Sequence, residues 1–204
     1  MKVPILAAVG DESPLPFLVS LFDPKTSVKL PPLDLGRSPR DTVTEILHAS
    51  TSKEHGVVFR FAIEVGVKKR QREEFEWRKM EGDKEYSTHE ASSRYTLHRL
   101  SSNPTAPSSS SFSPLDNAQT VAELTFRNVL NLKHTFTLEL KGAGITGELG
   151  DRWTLMVVMT SLGLRWLRRN GRTKKATVGA AQKIHSKLAV ERGGAGQDGM
   201  GPVP

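Results

Sequence analysis

Residues 151–171 constrain the fold more than any other stretch of this chain. Between Trp153 and Leu167 they include ten large apolar residues and no charged residue before Arg165. Apolar side chains fall on every side of a helix drawn through this run, which predicts a helix buried all round. The run of about 15 residues is shorter than the roughly 20 that cross a bilayer, so burial within protein is favoured.

The residues at the two ends of this run suit the ends of a helix. Asp151 can cap the first turn, where backbone N–H groups lack partners. Arg168 and Arg169 complement the negative end of the helix dipole, and Gly171 can adopt the left-handed turn that closes a helix. If the helix is buried on all sides, Val158→Asp should destabilise the domain severely, because it buries an unpaired charge.

Length and composition bound the class of protein. At 204 residues, one domain with tails is the natural expectation. The absence of cysteine excludes disulfides, thiolate zinc sites and cysteine nucleophiles, and it favours a reducing compartment. The first residues form no strong signal peptide, since Asp11 and Glu12 follow a short apolar run. We therefore expect a cytoplasmic monomer, with peripheral membrane association as a further option.

The positive charge of the chain is concentrated in one segment. Residues 165–192 carry nine Lys and Arg against one acidic residue, and the rest of the chain carries 20 against 21. The formal net charge of +7 therefore belongs to a basic C-terminal segment rather than to a basic fold. Such a segment is typical of proteins that meet anionic membranes or nucleic acid.

Alternating apolar and polar residues predict a series of strands before the apolar helix. They are expected at residues 56–67, 73–78, 95–100, 120–126 and 134–140. Residues 42–48 fit either a strand or a helix. Residues 1–40 are rich in proline and are expected to be mostly irregular, with an edge strand as an option at 15–22. The serine-rich residues 101–114 are expected to form a disordered loop.

This order of elements predicts an α+β fold that is mainly antiparallel β. No strand–helix–strand alternation occurs, which argues against a doubly wound sheet. We expect a curled sheet or small β-barrel wrapped around a buried hydrophobic helix at 151–170. The predicted domain spans residues 41–171, after a proline-rich segment at 1–40 and before a basic, partly disordered tail at 172–204.

The succession REEFEWR (72–78), SRYTLHRL (93–100), TVAELTF (120–126), HTFTLEL (134–140) and GELGDRWTLMVVMTSLGL (147–164) resembles a known family. It is similar to fungal members of the tubby C-terminal-like superfamily, which are relatives of the plant LURP-one proteins. The resemblance covers roughly residues 42–170 and implies a small β-barrel threaded by its terminal helix. It also implies a binding or scaffold module, since the founding tubby proteins bind phosphoinositide head groups through basic side chains.

Catalytic and cofactor motifs are weak in this sequence. Gly142, Gly144 and Gly147 match the spacing of a dinucleotide fingerprint, but no helix opens at the third glycine, so a glycine-rich turn is expected. The six histidines have no metal-ligand spacing, and no nucleophile elbow is present. Glu74 and Glu76 share one strand face, which a solvated outer surface explains. We expect no cofactor, no metal and no enzymatic activity.

Two basic clusters remain as candidate ligand-binding residues, one between two strands and one after the apolar helix. They are Lys68, Lys69, Arg70, Arg72, Arg168, Arg169, Arg172, Lys174 and Lys175. If they form a single site, both clusters should face one surface. The first hypothesis is a binding module for an anionic phospholipid head group or a protein partner. The alternative is a nucleic-acid-associated protein that acts through its basic tail, which the lack of aromatic residues in the tail makes less favourable.

Overall fold

The computed structural model describes residues 6–11, 23–32, 41–66, 70–80, 93–100, 119–126 and 136–193. The possible edge strand at 15–22 and the serine-rich segment 101–114 lie outside these residues. Eight strands come first: β1 (Ala8–Gly10), β2 (Lys25–Leu30), β3 (Val43–Ser52), β4 (Gly56–Val65), β5 (Gln71–Lys79), β6 (Ser93–Leu100), β7 (Gln119–Phe126) and β8 (Phe136–Leu140). A short 3-10 turn (Gly142–Gly144), helix α1 (Gly150–Arg169) and helix α2 (Lys175–Gly193) follow.

The eight strands form one antiparallel sheet in which every strand pairs with its neighbours in the chain. The sheet curls into a half-barrel, with β1 and β8 as its two edges. This confirms the predicted α+β class and the curled sheet. The five predicted strands are present, and the ambiguous residues 42–48 belong to strand β3.

The proline-rich segment contributes to the sheet, contrary to its expected irregularity. Strand β2 lies between β1 and β3, and its side chains Val28 and Leu30 are fully buried. The prolines Pro24 and Pro31 stand just outside its two ends, where they remove no ladder hydrogen bond. The folded unit therefore begins before residue 41.

Helix α1 fills the concave face of the half-barrel. Its Trp153 lies 5.9 Å from the ring of Phe75, which in turn stacks on Phe61 at 5.4 Å. Trp77 of β5 donates its indole N–H to Thr160 Oγ1 of α1 at 3.1 Å. Aromatic packing and this buried hydrogen bond together fix the helix against the sheet.

The closing turn of α1 follows the sequence prediction, whereas its start does not. Leu149 occupies the N-cap position, and Asp151 lies within the first turn without capping it. At the other end, Gly171 has a φ of 69°. The N–H of Gly171 donates to Arg168 O at 3.0 Å, and the N–H of Arg172 donates to Leu167 O at 2.9 Å. These two bonds form a Schellman motif.

One side of α1 is open to solvent, so the prediction of burial all round is wrong. Val158, Leu162 and Trp166 are 38%, 37% and 38% exposed. They recur every four residues and therefore form one apolar stripe along the helix. The half-barrel does not close over this stripe within the described residues. Val158→Asp consequently places its charge at a partly solvated position, and the severe destabilisation expected from the sequence loses its physical basis.

Helix α2 packs against the sheet and is part of the folded unit. Its Val178 and Ala181 are buried. Gln182 Oε1 accepts hydrogen bonds from the backbone N–H and the hydroxyl of Thr51, at 3.3 and 2.7 Å. Thr51 lies on the same face of β3 as the core residues Leu47 and Ala49. The predicted domain boundary at residue 171 therefore falls inside the packed structure.

Candidate functional site

The two basic clusters predicted from the sequence lie at opposite ends of α1. Arg70 lines a cleft together with Gly150 and Asp151, at the first turn of the helix. Arg168 and Arg169 belong to the last turn. The 19 steps of the helix separate these ends by about 28 Å. Because of this distance the two clusters cannot form one head-group site, and Lys68 and Lys69 lie outside the described residues.

Arg72 belongs to an ion-pair network at the first end of the helix. Its guanidinium binds Glu45 Oε2 at 2.7 Å and Glu64 Oε1 at 2.6 Å. Arg152 of α1 faces the same two carboxylates at 3.5 Å and donates to the carbonyl of Pro31 at 2.5 Å. Two arginines and two glutamates thus alternate around a nearly neutral cluster that joins β2, β3, β4, β5 and α1.

The network shifts the pKa values of Arg72 and Glu64 in the directions that favour their charged forms. Hydrogen bonding to Glu45 outweighs burial and raises the pKa of Arg72 further above its ordinary value. Burial acts to raise the pKa of Glu64, but hydrogen bonds from the backbone and from Arg72, with the charges of Arg72 and Arg152, leave it lowered. Arg72 is therefore occupied by carboxylates and acts as a structural group.

A cleft of about 600 Å³ lies beside this network. Pro31, Gly66 and Leu155 form part of its wall, and the charged side chains along it include both signs. Those charged residues are Glu64, Arg70, Asp151 and Arg152. The mixture of signs argues against a dedicated anion pocket, since the carboxylates there would repel a phosphate.

Arg172 is a structural residue as well. It is 5% exposed and binds both carboxylate oxygens of Asp11, at 2.9 and 2.7 Å. It also donates to the carbonyl of Asp23, and its guanidinium lies 5.2 Å from the ring centre of Trp166. Both terminal nitrogens of its buried guanidinium donate to protein groups, so it acts as a structural residue.

The exposed cations of residues 165–187 form a group that we term the basic surface. Its members are exposed and none forms an ion pair with a described carboxylate: Arg165, Arg169, Lys174, Lys175, Lys183 and Lys187. Sequence analysis identified Arg169, Lys174 and Lys175 among these residues. The neighbouring Arg168 is half-buried, with its guanidinium 5.5 Å from the ring centre of Phe126.

The apolar stripe on α1 is not among the residues predicted from the sequence. Its signal was the spacing of Val158, Leu162 and Trp166 by four residues, with Arg165 and Arg169 on the same side of the helix. A helical projection places these five residues within an arc of roughly 100°. The stripe therefore meets the basic surface at the C-terminal end of α1.

Among the residues that the structure describes, no group of three or more acidic or histidine side chains is placed to hold a metal ion. Within the same residues, no helix combines the length and the apolar character needed to span a membrane. No family model, no curated protein and no solved structure matches this chain. The resemblance to tubby-like proteins stays a prediction from the sequence.

Proposed function

We propose that this chain is a non-enzymatic binding module that docks on anionic phospholipid surfaces through its basic surface. The observation that carries the proposal is the contrast between the two ends of α1. At the first end, arginines such as Arg72 and Arg152 are neutralised by glutamates. At the other end and along α2, six exposed cations meet no described carboxylate.

The chemistry of the basic surface suits a membrane. Each Lys or Arg held near an anionic leaflet contributes about 1 kcal/mol of attraction, so six together support reversible docking. The electrostatic part of the binding should weaken as salt rises.

The test is co-sedimentation of the full chain with vesicles of neutral lipid, with and without phosphatidylserine or a phosphoinositide. The diagnostic variant is Lys174→Glu with Lys175→Glu, since both side chains are exposed. The matched control is Arg70→Glu with Lys141→Glu, which changes the net charge equally at the other end of α1. Point variants are preferable to truncation after residue 170, because truncation removes the buried Val178 and Ala181.

We expect the wild-type chain and the control variant to co-sediment with anionic vesicles. The Lys174/Lys175 variant should not co-sediment with them. Equal loss in both variants would mean a response to net charge alone and would contradict a defined surface. Absence of binding to every vesicle would overturn the lipid proposal. If the chain binds duplex DNA more tightly than it binds vesicles, and the Lys174/Lys175 variant loses this binding, the basic surface serves the nucleic-acid alternative.

A further inference from the structure

The open side of the half-barrel lies between its two edge strands, along the exposed arc of α1. Gly163 faces Val9 of β1, Thr160 faces Trp77 of β5, and Arg168 faces Phe126 of β7. These contacts follow the sheet order around the helix, so the arc that remains points to the gap between β8 and β1. We call this gap the seam, and the stripe of Val158, Leu162 and Trp166 forms its floor.

Strand β8 presents backbone groups to the seam. The N–H of Lys141 donates to Val121 O of β7 at 2.8 Å, and Lys141 has extended backbone angles. Backbone groups of a strand point alternately to either side, so those of Leu138 and Leu140 point away from β7. Among the described residues no strand pairs with this edge of β8. An extended chain could therefore bond to it.

The side chains beside this edge are apolar and only partly covered. Phe136, Leu138 and Leu140 face the core side of β8 and are half-buried. The stripe on α1 repeats every four residues, a rise of about 6 Å. Alternate residues of an extended strand are about 6.7 Å apart along the strand. The side chains of an added strand would thus fall in step with the stripe.

We propose that the seam binds an extended peptide of a partner protein, which pairs with β8 and lays alternate apolar side chains on the stripe. The proposed peptide is antiparallel to β8, as β7 is on the other side of that strand. Phe126 contacts both Phe136, at the start of β8, and Arg168, at the end of α1, so β8 and α1 run in opposite directions. A peptide antiparallel to β8 therefore runs along α1 from its first turn to its last.

The charge of two arginines on α1 determines which residues suit the C-terminal end of the peptide. Arg165 and Arg169 are exposed on the same arc as the stripe, near the C-terminal end of α1. A peptide in the stated direction brings its own C-terminal residues to these two arginines. The partner segment is accordingly apolar at alternate positions and acidic at its C-terminal end. This mode of recognition combines main-chain hydrogen bonds with side-chain contacts at every second residue.

The experiment uses the full chain and a synthetic peptide of about nine residues, long enough to cover the stripe. The peptide has isoleucine at three alternate positions, glutamate at the next alternate position and threonine between them. One control peptide has the same composition in scrambled order, and a second carries N-methyl groups on the amides that would face β8. Binding is followed by tryptophan emission and by amide exchange of β8. Trp77 and Trp153 are buried, so a change in emission reports on Trp166.

We expect the alternating peptide to shift the emission of Trp166 to shorter wavelength and to slow exchange at Leu138 and Leu140. Leu162→Glu should weaken binding by about tenfold or more, a difference of about 1.4 kcal/mol. Ile184→Glu is the matched control, because Ile184 is an exposed apolar residue on α2. The scrambled and N-methylated peptides should not bind.

Four results would overturn the proposal. Equal binding of the scrambled peptide would show that any apolar sequence suffices. Slow amide exchange at Leu138 and Leu140 in the free monomer would show that the edge is already paired within the chain. Dimers that dissociate in the Leu162→Glu variant would assign the seam to a second copy. An emission shift of Trp166 with vesicles but with no peptide would assign the stripe to the membrane. Loss of vesicle binding in the Lys174/Lys175 variant leaves the peptide result unaffected, so the two proposals fail separately.

Discussion

Arg172 donates hydrogen bonds to both carboxylate oxygens of Asp11, a residue 161 positions earlier in the chain. The contact joins the residue after strand β1 to the residue that follows the closing turn of α1. Because Arg172 is buried, the carboxylate of Asp11 compensates its charge within the fold. The pair thus fastens the edge strand of the half-barrel to the end of the helix that fills it.

Removing one partner of this pair should be strongly destabilising. Arg172→Ala leaves Asp11 without its cation, and we expect the free energy of unfolding to fall by about 3–5 kcal/mol. Arg169→Ala, at an exposed position three residues earlier, should change it by less than about 0.5 kcal/mol. Urea denaturation of both variants measures the difference. Similar midpoints for the two variants would show that the Arg172 contact does not fasten the fold.

Replacing each of two neighbouring valines on α1 by aspartate should have very different effects on the free energy of unfolding. Val157 is 0% exposed, whereas Val158 is partly solvated. Val157→Asp should lower the free energy of unfolding by about 4 kcal/mol or more, enough to unfold a marginal domain. Val158→Asp should lower it by about 1 kcal/mol or less, since its carboxylate reaches water. Circular dichroism melting curves test this; equal loss in both variants would mean that the seam is closed.

Two glycine-to-alanine substitutions should change the free energy of unfolding in opposite directions. A Cβ at Gly144 would stand 2.5 Å from Val121 O and 2.8 Å from Trp153 Cη2, so the backbone or the indole must shift. Gly144→Ala should destabilise by about 1–3 kcal/mol. At Gly179 in α2 an added Cβ meets no atom within 4 Å. Gly179→Ala should stabilise by about 0.5–1 kcal/mol, and thermal melts that rank the two variants in the other order would contradict this packing.

Protonation of Glu76 at acidic pH should lower the free energy of unfolding. This carboxylate is 1% exposed and is bound by Arg60 and by Arg78, the latter at 2.6 Å. Burial acts to raise its pKa, but the hydrogen bonds and charges of the two arginines lower it below the ordinary 4.5. A lowered pKa in the folded state contributes stability above pH 4.5, and that contribution is lost as pH falls through the folded value.

Glu76→Gln should therefore flatten the dependence of unfolding free energy on pH below about 5. Its exposed neighbour Glu74 supplies the control, since Glu74→Gln should leave the slope close to that of the wild type. Urea titrations across this pH range measure both slopes. A wild-type slope in Glu76→Gln would assign acid sensitivity to other carboxylates. Glu76 was expected from the sequence to be solvated, because no local residue pattern reveals its cross-strand partner Arg60.

The fold was predictable where the side-chain pattern alone decides the structure. Strands β4 to β8 alternate in period two, and the apolar run of α1 has no competing interpretation. Strand β3 was ambiguous for a physical reason: Glu45 faces inward and is buried, whereas Ile46 is partly exposed. The inverted pattern is stable because Arg72 and Arg152 neutralise Glu45, and both arginines are remote in sequence.

Strand β2 had a readable signal that the surrounding prolines obscured. Thr26, Val28 and Leu30 are buried and alternate with the exposed Lys25 and Lys29. This run between Pro24 and Pro31 satisfies the same period-two rule that identified the later strands. Its length of six residues is ordinary for a strand, so the alternation predicts this element better than the proline content does.

The candidate site was less predictable than the fold, because it depends on which cations lack carboxylates. The sequence indicates that Arg72, Arg172 and Lys175 are basic but not that glutamates occupy the first and Asp11 the second. These pairs link residues that are 8, 27 and 161 positions apart in the chain. Charge clusters therefore located the basic C-terminal segment correctly as a region, and the structure separates its exposed members from its structural ones.

The order of elements along the chain also bears on biosynthesis. All eight strands precede Gly150, and each pairs with a neighbour that has already been made. A ribosome-bound chain that has not yet released α1 can assemble the sheet while Phe75 and Trp77 on its concave face remain uncovered. Exposed apolar surface of this kind favours aggregation. The nascent chain is accordingly most vulnerable in the interval between completing β8 and releasing the helix that fills the sheet.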